Sequence, residues 1–298
     1  MVTKPSNLPM QEFFYRFPDK VFGHIPGAHS GSAMGSGDRF AGFADLFDYP
    51  DPRRLDLRAS IRSQAIDSTQ HDQHRWLVRR YQQRSSITLW LLADMSQSMV
   101  LATANKKRLA ELAQMIAYSA IGLGDQFAMT GFDHVWRQDV SIMPTRQRSM
   151  PAFAADKILR SNQALKPGAE GMLNAAGVIN SKRALVFLVS DFCCDVSLVE
   201  RTLRKLAHFT VIPIVWQHDD VDLFPSHAGW TETRDAETGQ RHSVWMRPSL
   251  RKRWLNQRMS HFAKLDACFR RYQFKPLYVR DTVSPQQLTA YFFAMKKS

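Results

Sequence analysis

Three oxygen-bearing side chains at alternate positions form the strongest candidate site in this sequence. Asp94, Ser96 and Ser98 directly follow a short apolar run, residues 87–93. Because successive side chains of an extended backbone point to opposite sides, these three can converge on one side of a loop at a strand end. Carboxylate and hydroxyl oxygens suit a hard cation such as Mg2+, Mn2+ or Ca2+. A bare Asp-x-Ser-x-Ser pattern is also typical of turns and helix caps, so its context has to support the metal hypothesis.

The sequence around this group predicts a strand, a polar loop and a helix. Residues 87–93 are nearly all apolar, as in a strand buried on both faces of a parallel sheet. From Asn105 onward, apolar residues recur at helical spacing, and Gly122 and Gly124 mark the end of that helix. This order places the polar group at the carboxyl end of a strand, where open α/β sheets bind ligands.

The rest of the chain continues the alternation of strands and helices. Residues 184–189 and 209–216 predict two further buried strands, and the first of them ends in Ser190 and Asp191. Residues 126–132 and 134–142 predict an antiparallel hairpin at the edge of the sheet. We therefore predict an α/β fold with a doubly wound, mostly parallel sheet. Residues 1–84 are expected to form an N-terminal extension packed on the core, and residues 85–298 the α/β domain, with a hairpin excursion near residues 229–246.

Several motifs resemble a known family. Asp94-Met95-Ser96-Gln97-Ser98 resembles the metal-ion-dependent adhesion site (MIDAS) of von Willebrand factor A domains, which have a Rossmann-like fold, and Ser190-Asp191 resembles the strand-end aspartate that completes it. Further segments follow, in order, the pattern of one bacterial branch, catalogued as domain of unknown function 58 (DUF58). They are residues 29–37, 45–49, 54–57, 77–81 and 235–239. The resemblance runs from about residue 26 to about residue 293 and covers most of the chain.

The resemblance implies a metal site that another protein completes. Asp94, Ser96, Ser98 and Asp191 would hold Mg2+, Mn2+ or Ca2+, with water in the remaining positions and one position open to an acidic side chain of a partner. In von Willebrand factor A domains a further loop supplies a threonine to the metal. Here Gly171 or Glu170 occupies that place, and Glu170 joins the candidate ligands.

The resemblance also implies a partner. Members of this family are commonly encoded beside MoxR-type AAA+ ATPases and are thought to act with them as chaperone adaptors or assembly factors. In some cases the assembly is metal insertion into another enzyme. A non-enzymatic adaptor is therefore expected, with maturation of a metalloenzyme such as methanol dehydrogenase as one specific role. Nothing in the residues names the client.

Two other functions stay open on the residues alone. The formal net charge is +13, and the arginines of residues 53–84 alternate with Trp76 and Tyr81, a composition typical of single-stranded nucleic-acid binding. The same composition also fits an arginine-rich solvated face. Ser96 or Ser98 as a nucleophile predicts an enzyme, but no Gly-x-Ser-x-Gly elbow is present and no histidine lies beside them in the sequence.

Composition and short motifs exclude several protein classes. No apolar run approaches the roughly 20 residues that a membrane helix needs, and the first residues lack the apolar core of a signal peptide, so a cytoplasmic protein is expected. Three cysteines form neither a disulfide framework nor a zinc motif. The glycine-rich residues 27–37 match neither a Walker loop nor a dinucleotide-binding turn, and predict an irregular loop.

Overall fold

The computed structural model describes residues 12–15, 29–35, 39–66, 76–100, 103–161, 168–181, 183–217, 229–234 and 241–295. By its internal contacts the chain divides into two compact units, Phe17–Ser86 and a larger unit that combines Met1–Arg16 with Ile87–Ser298. The division into an extension and a domain that the sequence suggests at residues 84 and 85 stays a prediction.

The smaller unit is built on a three-stranded antiparallel sheet. Its strands are β1 (His29–Gly35), β2 (Arg39–Asp45) and β3 (Leu77–Ser85), with β3 in the middle, and α1 (Leu57–Ile66) lies between β2 and β3 in the chain. The expectation of an irregular loop over residues 27–37 is wrong, because residues 29–35 pair with β3. Strand pairing uses the backbone, and the glycines and serines of an edge strand do not prevent it.

The larger unit contains a six-stranded sheet and a separate hairpin. The remaining strands are β4 (Thr88–Asp94), β5 (Gln126–Phe132), β6 (Trp136–Thr145), β7 (Ala184–Ser190), β8 (Thr210–Trp216), β9 (Gly229–Arg234), β10 (Arg241–Met246) and β11 (Leu277–Val279). Among the described residues the sheet has the order β11-β8-β7-β4-β5-β6, in which β6 at one edge is antiparallel to β5 and the other neighbouring strands are parallel. β9 and β10 form the predicted two-stranded excursion. The predicted α/β fold with a doubly wound, mostly parallel sheet is confirmed.

In the described part of the larger unit, seven helices connect these strands or follow them. They are α2 (Gln97–Val100), α3 (Thr103–Gly122), α4 (Met150–Arg160), α5 (Met172–Ala176), α6 (Val196–Leu206), α7 (Pro248–Arg271) and α8 (Pro285–Met295). Two of these helices begin at residues that favour a helix start. The Asp195 carboxylate accepts a hydrogen bond from the Ser197 amide at the start of α6, and Pro248 is the first residue of α7. Among the described residues, no helix is both long and apolar enough to cross a bilayer.

The core surrounds the two central strands. All seven residues of β4 and all seven of β7 are buried, as their unbroken apolar sequences predict. The strands are parallel and pair Ala93 with Val189, so their carboxyl ends lie side by side at the same end of the sheet. This register brings Asp94 next to Ser190, the last residue of β7.

Two aromatic residues near the N-terminus, Phe13 and Tyr15, are buried in the larger unit. Phe13 is buried, with its ring edge-on to Phe187 of β7 and stacked on Phe292 of α8. The Tyr15 hydroxyl donates to Asp125 Oδ2 at 2.5 Å, and burial together with the Asp125 charge raises the pKa of Tyr15 well above its ordinary value. These contacts fix residues 13–15 against the central sheet.

Candidate metal centre

The candidate centre begins at the last residue of β4. The Asp94 side chain is buried, and each of its oxygens accepts a hydrogen bond. Oδ1 accepts from the Ser96 amide at 2.8 Å, and Oδ2 accepts from the Ser190 hydroxyl at 2.5 Å. The carboxylate therefore closes the turn that follows β4 and ties it to the end of β7.

The turn after β4 brings two hydroxyl groups together. The Met95 amide donates to the Phe132 carbonyl of β5 at 2.7 Å, which keeps the chain at the sheet edge before α2 begins. The Ser96 and Ser98 hydroxyl oxygens lie 3.1 Å apart. Two adjacent ligands of an octahedral Mg2+ ion, each about 2.1 Å from it, are about 3.0 Å from each other. The spacing of these hydroxyls thus fits neighbouring positions on one small cation.

The loop after β7 contributes the second carboxylate. Asp191 is 3% exposed, and its Oδ1 accepts a hydrogen bond from the Cys193 amide at 3.0 Å. The Ser190 hydroxyl, which donates to Asp94, also accepts from the Phe192 amide at 2.9 Å. One serine therefore links the two strand-end loops.

The negative charge of each of these two carboxylates makes ionisation of the other less favourable. Burial raises the pKa of Asp94 to about 7, with the negative charge of Asp191 as the second cause. Hydrogen bonds from Ser190 and Ser96 act in the opposite direction and do not outweigh these two causes. A divalent cation between the carboxylates would offset the repulsion and favour the ionised form of both.

This donor set fits a hard divalent cation. Asp94, Ser96, Ser98 and Asp191 all belong to two neighbouring strand-end loops, and all four offer oxygen. Among the residues that the structure describes, no three histidine, cysteine, aspartate or glutamate side chains are grouped as ligands for one ion. The serine hydroxyls and water would therefore have to supply much of the coordination shell.

The loop before α5 has no room for a threonine at Gly171, one of the two positions that the resemblance gives for it. Gly171 donates its amide to the Asp133 carbonyl at 2.9 Å, and a Cβ added to Gly171 would lie 2.1 Å from the carbonyl carbon of Val135. A threonine therefore does not fit at this position without moving the backbone. Glu170 is exposed and its carboxylate lies against Gly168, so it is not grouped with Asp94 and Asp191. Its role as a ligand stays a prediction.

An ion-pair network around the buried Arg137, at the turn between β5 and β6, was not predicted from the sequence. Arg137 is 3% exposed and donates to Asp133 at 3.0 Å and to Asp139 at 2.7 and 2.8 Å. These bonds raise the pKa of Arg137, with Asp139 as the main cause. Because Asp133 also accepts from Gly171, the network fixes the loop before α5. The Asp-x-x-x-Arg-x-Asp spacing across the turn between β5 and β6 was the signal available in the sequence.

The geometry supports the two competing functions, nucleic-acid binding and serine-nucleophile catalysis, less well than metal binding. In the smaller unit, Arg54 lies over the ring of Tyr81 at 5.3 Å, Arg80 over that of Tyr49 at 5.8 Å, and Arg79 pairs with Asp56 at 2.7 Å. These arginines contact groups of the unit itself; Arg75 lies outside the described residues. Within the described part of the chain, neither Ser96 nor Ser98 is hydrogen-bonded to a histidine.

Comparison with solved structures gives distant likenesses. The chain is 12% identical to the conserved hypothetical protein BatB of Bacteroides thetaiotaomicron, over 72% of this chain and 100% of that one, with a TM-score of 0.39. It is also 12% identical to proximal thread matrix protein 1 of the mussel byssus, a structure described as having a zinc-occupied MIDAS motif. That match covers 71% of this chain but only 47% of the mussel chain, with a TM-score of 0.39. An aerotolerance-related membrane protein of Bacteroides fragilis is 11% identical over 71% and 99% of the two chains, with a TM-score of 0.37.

Comparison of the sequence with family models identifies the family of this chain. No curated protein matches the chain. The family model described as "Protein of unknown function DUF58" matches residues 66–264, which is more than half of the chain. The predicted membership of this family is thereby confirmed: this chain belongs to the DUF58 family.

Proposed function

We propose that this chain is a non-enzymatic protein-interaction module that binds a partner through a divalent cation. Asp94, Ser96, Ser98 and Asp191 hold the ion, which is Mg2+ or, with similar ligands, Mn2+ or Ca2+. The observation that carries the proposal is the buried pair of carboxylates, Asp94 and Asp191, beside two hydroxyls 3.1 Å apart. Ionising both carboxylates in this place is costly without a positive charge.

Each group of the site has a separate task. The two carboxylates supply the charge that holds the cation, and the two hydroxyls supply neutral oxygens in fixed positions. The Ser190 hydroxyl keeps Asp94 turned toward the loop of Asp191. When bound, the ion supplies a positive centre with an open position, which a carboxylate from another protein fills. Metal binding and partner binding are then linked, because each stabilises the other.

The proposed partner is an ATPase of the MoxR type. Membership of the DUF58 family supports this, since the resemblance implies an adaptor or assembly factor for such AAA+ proteins. The net charge of +13 favours encounter with an acidic partner surface. We propose the cytoplasm as the place of action, because an ATPase needs a compartment that contains ATP. A client such as a maturing metalloenzyme, methanol dehydrogenase among them, is the most specific form of the proposal.

Affinity purification from the native host tests the proposal. The bait is the full chain, captured in parallel in Mg2+ and in a chelator, with Asp94→Asn as the site variant. Asp195→Asn is the matched control, because Asp195 is an exposed helix cap on the same loop. We expect an AAA+ ATPase to be recovered by wild type and Asp195→Asn in Mg2+ only, and not by Asp94→Asn. Equal recovery of the ATPase by all three proteins in both buffers would refute the metal-dependent mechanism.

A nucleic-acid-binding protein remains the second candidate, on the strength of charge alone. Titration of the chain with a fluorescent single-stranded oligonucleotide at rising salt separates the two proposals. Binding with a steep loss of affinity as salt rises, and with no dependence on Asp94, would favour nucleic acid.

A further inference from the structure

The loop that contains Asp191 has an unusual backbone. Phe192, the next residue, has φ of 51°, in the left-handed region that bulky side chains rarely adopt. It is fully buried, so this conformation is not that of a free surface turn. A strained residue of this kind persists only where its surroundings hold it.

Three contacts hold Phe192, and two of them come from α7. Its amide donates to the Ser190 hydroxyl at 2.9 Å, within the candidate metal centre. Its carbonyl oxygen lies 2.8 Å from His261 Nε2, and its ring is edge-on to Phe269, with ring centres 5.4 Å apart. Since a carbonyl oxygen only accepts hydrogen bonds, Nε2 of His261 carries the proton and donates.

The conformation of Phe192 determines where Asp191 points. The Asp191 carboxylate accepts from the Cys193 amide at 3.0 Å, a bond that spans Phe192. If Phe192 relaxed to an ordinary right-handed conformation, the Cys193 amide would turn away and Asp191 would lose this donor. The position of the second carboxylate thus depends on a histidine 70 residues further along the chain.

We propose that His261 is a positioning residue for the cation site. It does not touch the ion; it holds Phe192 in the left-handed conformation and so keeps Asp191 directed toward Asp94. The inference rests on the proposed function, because it assigns His261 to the same site. Phe269 contributes packing, whereas His261 supplies the directional bond, and this difference makes the role testable by a side chain that keeps an N–H donor.

Metal titration of three variants provides the test. His261→Ala removes the donor, His261→Gln offers an amide N–H in its place, and His208→Ala is the matched control, an exposed histidine after α6 at the opposite edge of the sheet. We expect His261→Ala to weaken Mn2+ binding about fivefold to tenfold in calorimetry, the effect of one hydrogen bond. We expect the Mn2+ affinity of His261→Gln to be within about twofold of the wild-type value, and that of His208→Ala to equal it.

Hydrogen exchange of the metal-free protein gives a second readout. The Phe192 and Cys193 amides are both bonded to side chains of the loop, so their exchange should be faster in His261→Ala and near wild type in His261→Gln. Unchanged Mn2+ affinity in His261→Ala, together with lost binding in Asp94→Asn, would overturn the role of His261 and leave the site intact. No Mn2+ binding by wild type would overturn the site and this inference together.

Discussion

Replacing Asp94 by asparagine is expected to stabilise the metal-free protein at pH 8, although it removes a proposed metal ligand. Asparagine keeps the shape of the side chain, and its oxygen can accept the bond that Asp94 Oδ1 accepts from the Ser96 amide. The substitution removes the negative charge that burial and the neighbouring Asp191 both disfavour.

The magnitude follows from the shifted pKa. Asp94 has a pKa of about 7 in the folded chain against an ordinary value of 3.8. Each unit by which a pKa is raised on folding corresponds to about 1.4 kcal/mol. Keeping Asp94 ionised at pH 8 therefore costs the folded state about 4 kcal/mol. About 1 kcal/mol of this gain is lost, because the amide nitrogen of asparagine cannot accept the hydrogen bond that the Ser190 hydroxyl donates to Asp94. The variant should therefore gain about 3 kcal/mol in unfolding free energy.

The gain should depend on pH in a defined direction. Above a pH of about 7, Asp94 is deprotonated in both states, and the whole cost is present. As the pH falls toward about 4, the folded protein binds a proton that the unfolded chain lacks, so wild type becomes more stable. The advantage of Asp94→Asn should then shrink to below about 1 kcal/mol near pH 5.

Urea unfolding followed by tryptophan fluorescence, in chelator at pH 8 and pH 5, measures both quantities. Asp195→Asn is the control: the Asp195 pKa is lowered by hydrogen bonds from Ser197, so its neutralisation should not stabilise the protein at either pH. An Asp94→Asn protein less stable than wild type at pH 8, or a difference that does not change with pH, would refute the reasoning. Saturating Mg2+ should reverse the order, because only wild type gains binding energy.

Three further substitutions test neighbouring parts of the account. Ser98→Ala should weaken Mn2+ affinity about tenfold in calorimetry while changing the stability of the metal-free protein by less than about 1 kcal/mol, and equal affinity would remove this hydroxyl from the site. Gly171→Thr should destabilise the protein by about 2 kcal/mol in urea unfolding because of the clash with Val135, and a rise in metal affinity instead would contradict that geometry. Arg137→Leu should cost about 3 kcal/mol in unfolding free energy by removing the arginine partner of the buried Asp133, and a neutral result would show that this network contributes little.

The sequence predicted the features that depend on local patterns. Asp94 and Asp191 stood out because each follows an apolar run long enough for a buried strand, and the carboxyl ends of parallel strands share one edge. The hairpin of β5 and β6 was visible for a similar reason. The pairing of Ala93 with Val189, which sets the two loops side by side, is a tertiary feature, and the sequence contains only the strands that make it possible.

Features that depend on close approach between distant segments were not predictable. The position before α5 has no side chain because the backbone of Val135 lies against Gly171, 36 residues away in the chain. Phe192 adopts a left-handed backbone without the glycine or asparagine that usually signals one, because Ser190 and α7 hold it there. The strand at residues 29–35 was missed since its stability comes from pairing with β3 rather than from its own apolar pattern.

An anomalous-difference map from crystals of the full chain grown with Mn2+ tests the central claim most directly. We expect one peak between the loops after β4 and β7, bonded to the Ser96 and Ser98 hydroxyls and to the carboxylates of Asp94 and Asp191, with water or a carboxylate from a neighbouring molecule in the remaining positions. A map without a peak at saturating Mn2+, or a peak bound elsewhere with the two carboxylates turned apart, would contradict the account.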